Sequence, residues 1–546
     1  MTAGGALTGD VASYLARAAA DRPDAPALLL PRRGDAYDAV TYRELHDDAC
    51  RIARGLAALG VGRGDRAALL VPPGRDFLAL VFAMFLGGVV PVVVDPAMGA
   101  GAVGACLAEA RPIAFVGVAK AHAARAALGW AKETLRVRVV VGSRLPLGGT
   151  TLDEVRRRGA SGAAPAHAAA PADVAAILFT SGSTGAPKGA EYGHGNFAAQ
   201  AAALRDAYDI RPGEIDLATF PLFALFGPAL GLTTVVPRMD FTHPGRTDPR
   251  AILGPVQRLR VTNLFANPAL LRRVVDGTPE GTRLPSLRRI ICAGAPVAPD
   301  TLLRAAALLE GGAQVHTPYG ATEALPVATI GSDEILAETA ARTAAGAGFC
   351  VGRPVPGVTV RIVRVEDAAF DAWSEALCVA PGEIGEVVVA GDVVTQAYFA
   401  REEATRRAKI PDGARRRHRM GDLAWCDEAG RLWFCGRVAE RVVLPHTTLH
   451  TAQVEPIFDA HPLVARSALV GVAGPGGMRA VLCVELVRRG EVTPALADEL
   501  RALGARHAHT RDVTTFLAHP GFPVDARHNA KIRRGELAAW AAARLG

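Results

Sequence analysis

Apolar runs rich in β-branched residues alternate with Ala- and Leu-rich stretches along much of this chain. Residues 66–71 (RAALLV) precede a helical stretch near Phe77, and the runs 137–141 (VRVVV) and 174–179 (VAAILF) follow. Strands separated by helix-length segments predict βαβ units, with parallel sheets covered by helices. One run is longer. Residues 77–94 read FLALVFAMFLGGVVPVVV, apolar for long enough to be weighed as a membrane span. Gly87, Gly88 and Pro91 interrupt it, however, and β-branched residues crowd its second half. The pattern predicts a buried helix, a Gly-Gly turn and a buried parallel strand instead. Residues 160–172 (ASGAAPAHAAAPA) are small-residue low complexity, expected as an exposed loop before the strand at Val174.

Towards the end the texture changes. Trp425-Cys426 and Leu432-Trp433-Phe434 flank Asp427-Glu428-Ala429-Gly430, which predicts a hairpin. After Arg437 come strands near 468–472 and 481–487, a helix near 495–503 and a terminal helix from Glu536. A large domain over residues 1–437 and a small α/β domain over 438–546 are therefore expected, the second of ordinary domain size.

Composition adds limits. Of 546 residues half are apolar, 21% charged and 5% aromatic, which is globular and not disordered. The net charge of +7 is spread along the chain. Its densest run, Arg415, Arg416, Arg417 and Arg419, is too short to argue for nucleic acid and is expected as a solvated loop facing phosphates. The eight cysteines make no CxxC pair, and the N-terminus lacks a basic-then-apolar signal pattern. Both point to free thiols in a cytoplasmic protein.

The strongest chemical signal is Thr180-Ser181-Gly182-Ser183-Thr184-Gly185-Ala186-Pro187-Lys188-Gly189, which follows the buried run at 174–179. Glycines let backbone N–H groups close on an anion, Ser and Thr add donors, and Lys188 adds charge. This is a phosphate cradle. A Walker A loop would need Gly at 187 and Ser or Thr at 189, where Pro187 and Gly189 stand.

Residues 180–188 resemble the signature loop of the adenylate-forming superfamily of acyl-CoA synthetases, peptide-synthetase adenylation domains and luciferases. Further segments follow in that family's order: Thr41-Tyr42-Arg43-Glu44-Leu45, Gly64-Asp65-Arg66, Ala293-Gly294-Ala295-Pro296, Tyr319-Gly320-Ala321-Thr322-Glu323, Pro381-Gly382-Glu383-Ile384-Gly385-Glu386, Gly421-Asp422-Leu423 and Gly436-Arg437. The resemblance implies an α/β fold: a large domain of mixed and parallel sheets covered by helices, with a β-barrel-like part, and a small mobile C-terminal domain. It implies ATP and Mg²⁺ as cofactors and activation of a carboxylic acid as its acyl-AMP. In that reading Thr180, Ser181, Gly182, Ser183, Thr184, Gly185 and Lys188 hold the β- and γ-phosphates. Gly294, Ala295 and Pro296 touch adenine, and Tyr319, with Gly320 beside it, stacks on it. Thr322 touches the α-phosphate, Glu323 ligates Mg²⁺, Asp422 accepts the ribose hydroxyls and Arg437 meets ribose or phosphate. Lys531, in Asn529-Ala530-Lys531-Ile532, reaches the α-phosphate and the carboxylate. His194, in Gly193-His194-Gly195-Asn196, is either a structural turn histidine or a group beside the substrate carboxylate.

Some segments depart from the family. Ala439 stands at the usual acidic hinge position, His446 where a loop glycine lines a thiol channel, and Ala530 where a glycine precedes the lysine. A ring at 446 fills space that a thiol channel needs and removes glycine's backbone freedom. With residues 319–326, Phe220-Pro221-Leu222-Phe223 and residues 527–531, the chain most resembles the β-lactone synthetases of bacterial olefin biosynthesis. That branch implies a 2-alkyl-3-hydroxy fatty acid substrate whose own hydroxyl displaces AMP, with His194 the candidate base, and work beside other enzymes of the same pathway. The apolar stretch 220–236 then lines an alkyl pocket or is ordinary core. A long-chain acyl-CoA or acyl-AMP ligase is the alternative enzyme, and a non-catalytic adenylate-binding scaffold the alternative of another class.

Overall fold

The computed structural model describes residues 10–143, 148–163, 169–180, 186–220, 223–474, 476–524 and 532–546. Among these residues two seven-stranded sheets are each parallel except at one edge. The first runs Thr150–Thr151, Val137–Val141, Ala114–Val118, Arg66–Leu70, Val90–Val94, Val174–Thr180 and Lys188–Gly193, the last antiparallel. The second runs Gln314–His316, Arg289–Cys292, Asn263–Ala266, Ile215–Leu217, Thr233–Val235, Pro26–Pro31 and Tyr37–Thr41. Both carry the continuous apolar strands that burial on two faces demands.

The 77–94 segment is a helix, Arg75–Gly87, with every residue from Phe77 to Leu86 buried, followed by the strand Val90–Val94. Gly88 ends the helix at φ +66°, where an L side chain would be strained. No helix among the described residues is long and apolar enough to cross a membrane. Phe82 and Phe85 pack in one core with Phe197 and Phe226. Part of the stretch 220–236 belongs there too: residues 223–226 are buried, and the Phe223 ring stacks on Phe265 at 4.8 Å.

The N-terminal landmark at Thr41 is a capping box. The Thr41 N–H donates to Glu44 Oε2 (2.8 Å), and the Glu44 N–H donates to Thr41 Oγ1 (3.1 Å), starting the helix Tyr42–Ala58.

A third, antiparallel sheet holds Tyr319–Ala321, Ala324–Thr329, Phe349–Pro354, Leu432–Arg437, Arg415–Cys426, Gly385–Ala390 and Thr359–Val363, with Lys409–Asp412 on its side. The expected hairpin is present, pairing Trp425 with Trp433. The arginine run is a correction: it is strand, not loop. Arg415 and Arg416 face solvent, whereas Arg419 is buried against Glu386, with Nε 2.9 Å from Oε2. Alternate residues of a strand face opposite sides, and the ion partner lies 33 residues upstream, invisible to a local reading of charge.

Beyond Arg437 a single turn, Val438–Glu440, leads to a separate three-stranded sheet of Val464–Gly474, Gly477–Leu486 and Thr515–Ala518. Val454, Phe458, Leu482 and Leu500 form its own core. Arg534, at the start of the helix Arg534–Leu545, ties it together, with Nε 3.0 Å from Glu440 and Nη1 2.6 Å from Glu455. All eight cysteines are free thiols.

One buried acid carries a consequence. Asp216 is fully buried in the second sheet, and its Oδ1 has no hydrogen-bond partner among the described residues. Burial pushes its carboxyl up to about 7, against the pull of Arg289. The folded protein therefore binds this proton more tightly than the unfolded chain, so stability falls as pH rises from about 4 to about 7. Asp216→Asn removes the buried charge and is expected to flatten that slope. Thermal unfolding at about pH 5 and about pH 8 checks it: the variant should gain on the parent at the higher pH only.

Candidate active site

The glycine-rich loop is slung between two strands, Val174–Thr180 and Lys188–Gly193, whose pairing sets Thr180 opposite Lys188. Gly189 lies tight on the neighbouring strand: a Cβ there would come within 2.7 Å of the Ile177 side chain. The outer strand is in turn bridged to the connection that follows Gly385–Ala390 of the third sheet. The Phe399 N–H donates to the Gly189 carbonyl (2.7 Å) and the Glu191 N–H to Ala397 (3.0 Å). Tyr398 thereby comes beside Lys188, whose Nζ sits 5.1 Å from its ring centroid.

Thr322 and Glu323 form the turn of a tight hairpin between Tyr319–Ala321 and Ala324–Thr329. Three residues from two segments grip this turn. The buried Tyr192 hydroxyl donates to the Thr322 carbonyl. The Thr395 N–H and hydroxyl donate to the Glu323 carbonyl at 2.9 and 3.1 Å. The Tyr398 hydroxyl donates to Glu323 Oε1 at 2.7 Å. Burial first, and then Glu323, hold the Tyr398 phenol far above the ordinary tyrosine range, so it stays a donor. The Tyr192 phenol is raised in the same direction by burial.

A second cluster lies at the base of the same hairpin. Asp422 and Arg437 are cross-strand partners, with Arg437 Nη1 2.9 Å from Asp422 Oδ1. The Tyr319 hydroxyl donates to Asp422 Oδ2 at 2.5 Å. Burial and the Asp422 charge push the Tyr319 phenol well up, and Asp422 raises Arg437 against its burial. Gly294, Ala295 and Pro296 follow the strand Arg289–Cys292, next to Gln314–His316, which leads to Tyr319. Both motifs thus emerge from the C-terminal ends of neighbouring parallel strands, where open α/β sheets bind ligands.

Residues 15–399 match the AMP-binding enzyme family. The chain belongs to that family. It is 49% identical, over 98% of its length and 97% of the relative, to an olefin β-lactone synthetase of Xanthomonas campestris pv. campestris. A second olefin β-lactone synthetase, from Stenotrophomonas maltophilia, is 48% identical over 98% of each chain. Among solved structures, an amide bond synthetase from Marinactinospora thermotolerans shares the fold at 22% identity and a TM-score of 0.78, over 97% of this chain and 99% of that one.

Against this family frame the sequence-derived residues divide. Lys188, Thr322 and Glu323 gather around Tyr398, and Tyr319, Gly320, Asp422 and Arg437 form the adjoining cluster. Ser181, Gly182, Ser183, Thr184, Gly185 and Lys531 lie outside the described residues, as does the side chain of Thr180. His194 is not brought to either cluster. It sits at the far end of the strand that starts at Lys188, roughly 20 Å along an extended chain. Its ring is buried 5.8 Å from Phe85, with Nδ1 3.4 Å from Asp10. It is thus a core ring at the start of the helix His194–Tyr208, a strand's length from Lys188. His446 is exposed and paired with Asp512 at 3.1 Å.

Sequence reasoning missed Tyr192, Thr395 and Tyr398. The available signal was sparse: three of the chain's seven tyrosines, Tyr192, Tyr319 and Tyr398, converge on one hairpin. The contact with Tyr398 is open to test. Tyr398→Phe keeps the ring beside Lys188 but deletes a hydrogen bond to a carboxylate, a bond worth about 1.5–3 kcal/mol. The expected result is a fall of about tenfold to a hundredfold in kcat/KM for ATP, with unfolding temperature little changed.

Proposed function

We propose that this protein activates a 2-alkyl-3-hydroxy fatty acid with ATP and closes it to a β-lactone, releasing pyrophosphate and then AMP. The observation that carries this reading is the 49% identity to olefin β-lactone synthetase over 98% of the chain. The geometry supports it, because a nucleotide needs two unlike surroundings and the chain offers two adjoining ones. Lys188 with the glycine-rich loop would take the β- and γ-phosphates, and Thr322 the α-phosphate. Asp422 would accept the ribose hydroxyls, with Arg437 beside it, while Tyr319 and residues 294–296 would border adenine. A buried carboxylate on a diol is good hydrogen-bonding chemistry, since an ionised Asp is acceptor only.

Glu323 fits a Mg²⁺ ion bound together with ATP. Its Oε1 is fixed by Tyr398, and its backbone by Thr395. Among the described residues no group of three or more His, Cys, Asp or Glu could hold a metal unaided. One carboxylate with phosphate oxygens and water is the coordination that Mg²⁺ prefers. When bound, the ion would neutralise charge spreading onto the phosphates.

The chemistry follows from those placements. A carboxylate oxygen attacks the α-phosphorus and the bond to pyrophosphate breaks, giving the acyl-adenylate. Lys188 lowers the cost of bringing two anions together, and Lys531, from the small domain, would do the same at the α-phosphate. The substrate's own β-hydroxyl oxygen then attacks the activated carbonyl, its proton passes to solvent water, and the bond to AMP breaks as the four-membered ring closes. Tethering makes this step unimolecular, so no thiol has to be delivered. Rotation of the small domain about Val438–Glu440 would carry Lys531 in and out.

Two measurements test the proposal. A 2-alkyl-3-hydroxy fatty acid with ATP and Mg²⁺, without CoA, should yield AMP, pyrophosphate and a product one water lighter than the acid. The matching acid without the hydroxyl should be adenylated but turn over poorly. Equal turnover of that deoxy acid once CoA is added would decide for the ligase reading. Lys531→Ala should cut pyrophosphate release by about a hundredfold or more while ATP still binds, because a charge aimed at the reacting centre acts mainly in the transition state.

A further inference from the structure

Lys409 has no place in the roles above, yet it is one of the most deeply buried charges in the chain, 2% exposed on the strand Lys409–Asp412. A lysine is costly to bury without partners. Its Nζ donates to Thr395 Oγ1 at 3.0 Å. The Thr395 hydroxyl spends its one proton on the Glu323 carbonyl, so its lone pair is what faces the ammonium. The hydrogen bonds therefore run in one direction, from Lys409 through Thr395 to the backbone of the Thr322–Glu323 turn. Lys409 Nζ also lies 6.0 Å from the Tyr398 ring, the ring that carries Lys188. Burial pulls Lys409 down to about 7, and Glu323 is the charge that pulls it back up. Across the strand pair, the residue opposite Lys409 is His418. It is buried, lies 3.2 Å from the Ala408 carbonyl, and is pushed well below its ordinary range by burial and then by Lys409.

We propose that Lys409 is a positioning residue for the metal-bound nucleotide: through Thr395 and Tyr398 it fixes the Thr322–Glu323 turn and Lys188 in the geometry that receives Mg²⁺ and the β- and γ-phosphates. This rests on the reading of Glu323 as the carboxylate that meets Mg²⁺ with ATP. A lysine that served only to fill the core would affect stability and every ligand alike. A positioning residue affects the triphosphate end and spares the nucleoside end, since Asp422, Arg437 and Tyr319 form a separate cluster.

The test is equilibrium binding by calorimetry to the full-length protein, with α,β-methylene ATP in excess Mg²⁺ and, separately, AMP without metal. The variants are Lys409→Met, Thr395→Val, the double variant and Glu323→Gln. Lys409→Met is expected to weaken the analogue about tenfold and AMP less than about twofold. Thr395→Val should do the same, and the double variant should bind no more weakly than Lys409→Met alone, because both cut one chain of hydrogen bonds. Additive losses, equal losses for AMP and the analogue, or unchanged binding in Lys409→Met would overturn the proposal. If Lys409→Met fails to fold, Thr395→Val decides by the same contrast between the two ligands. If Glu323→Gln binds the analogue like the parent, the reading of Glu323 has failed and the inference with it. If Glu323→Gln is weakened while Lys409→Met is not, only the role of Lys409 is lost.

Discussion

The turn at Thr322 and Glu323 is the point on which the site depends. A two-residue turn has few contacts of its own, and here it is held from outside by Tyr192, Thr395 and Tyr398. Those three residues come from the strand behind the glycine-rich loop and from the segment that bridges to it. Any displacement of the loop strand is therefore felt at Glu323. The reverse also holds, because the Phe399 and Glu191 bonds fasten the bridging segment to the loop strand. Glu323, Lys188 and the strand Lys188–Gly193 are thereby fastened together, which is the preorganisation that charge stabilisation requires.

Buried charge recurs along the chain, and most of it is handled in one way. Asp422 meets Arg437 and Tyr319, Arg419 meets Glu386, and Arg534 meets Glu440 and Glu455. Each group removed from water has found a partner on another element, as the cost of desolvation demands. Asp216 is met differently: with one oxygen lacking a partner, its carboxyl shifts toward the neutral form. A buried ion pair also fixes how two strands or a strand and a helix approach. The nucleoside cluster, for example, links the last strand before the Val438–Glu440 turn to the hairpin that carries Glu323.

Much of this was legible in the sequence, and the parts that were share a feature. The strand at Val137–Val141, the buried helix before Gly88, the hairpin around Gly430 and the elements after Arg437 all announce themselves within a dozen residues. The ordered motifs single out Lys188, Glu323, Asp422 and Arg437 because each sits in a setting of neighbouring residues, and the fold brings the first two to Tyr398 and the last two to each other. What was not legible has the opposite character. The arginine run was read as loop because Glu386 lies far upstream. His194, which the motifs leave open between a turn histidine and a group beside the substrate carboxylate, packs on Phe85 a strand's length from Lys188.

The sequence by itself determined the alternation of strand and helix, the two-part division of the chain and the identity of the residues with charge to spend. These follow from periodicity and local spacing, which short segments carry on their own. Only the tertiary structure decided which of those residues meet. Thr395, Tyr398 and Lys409 are separated from Glu323 by 72, 75 and 86 residues, the last from 409 less 323. Nothing local to any of them specifies the others. Their meeting is set by where two sheets are bridged, and that is a property of packing, because hydrogen bonds and buried charges act through space while sequence patterns act along the chain.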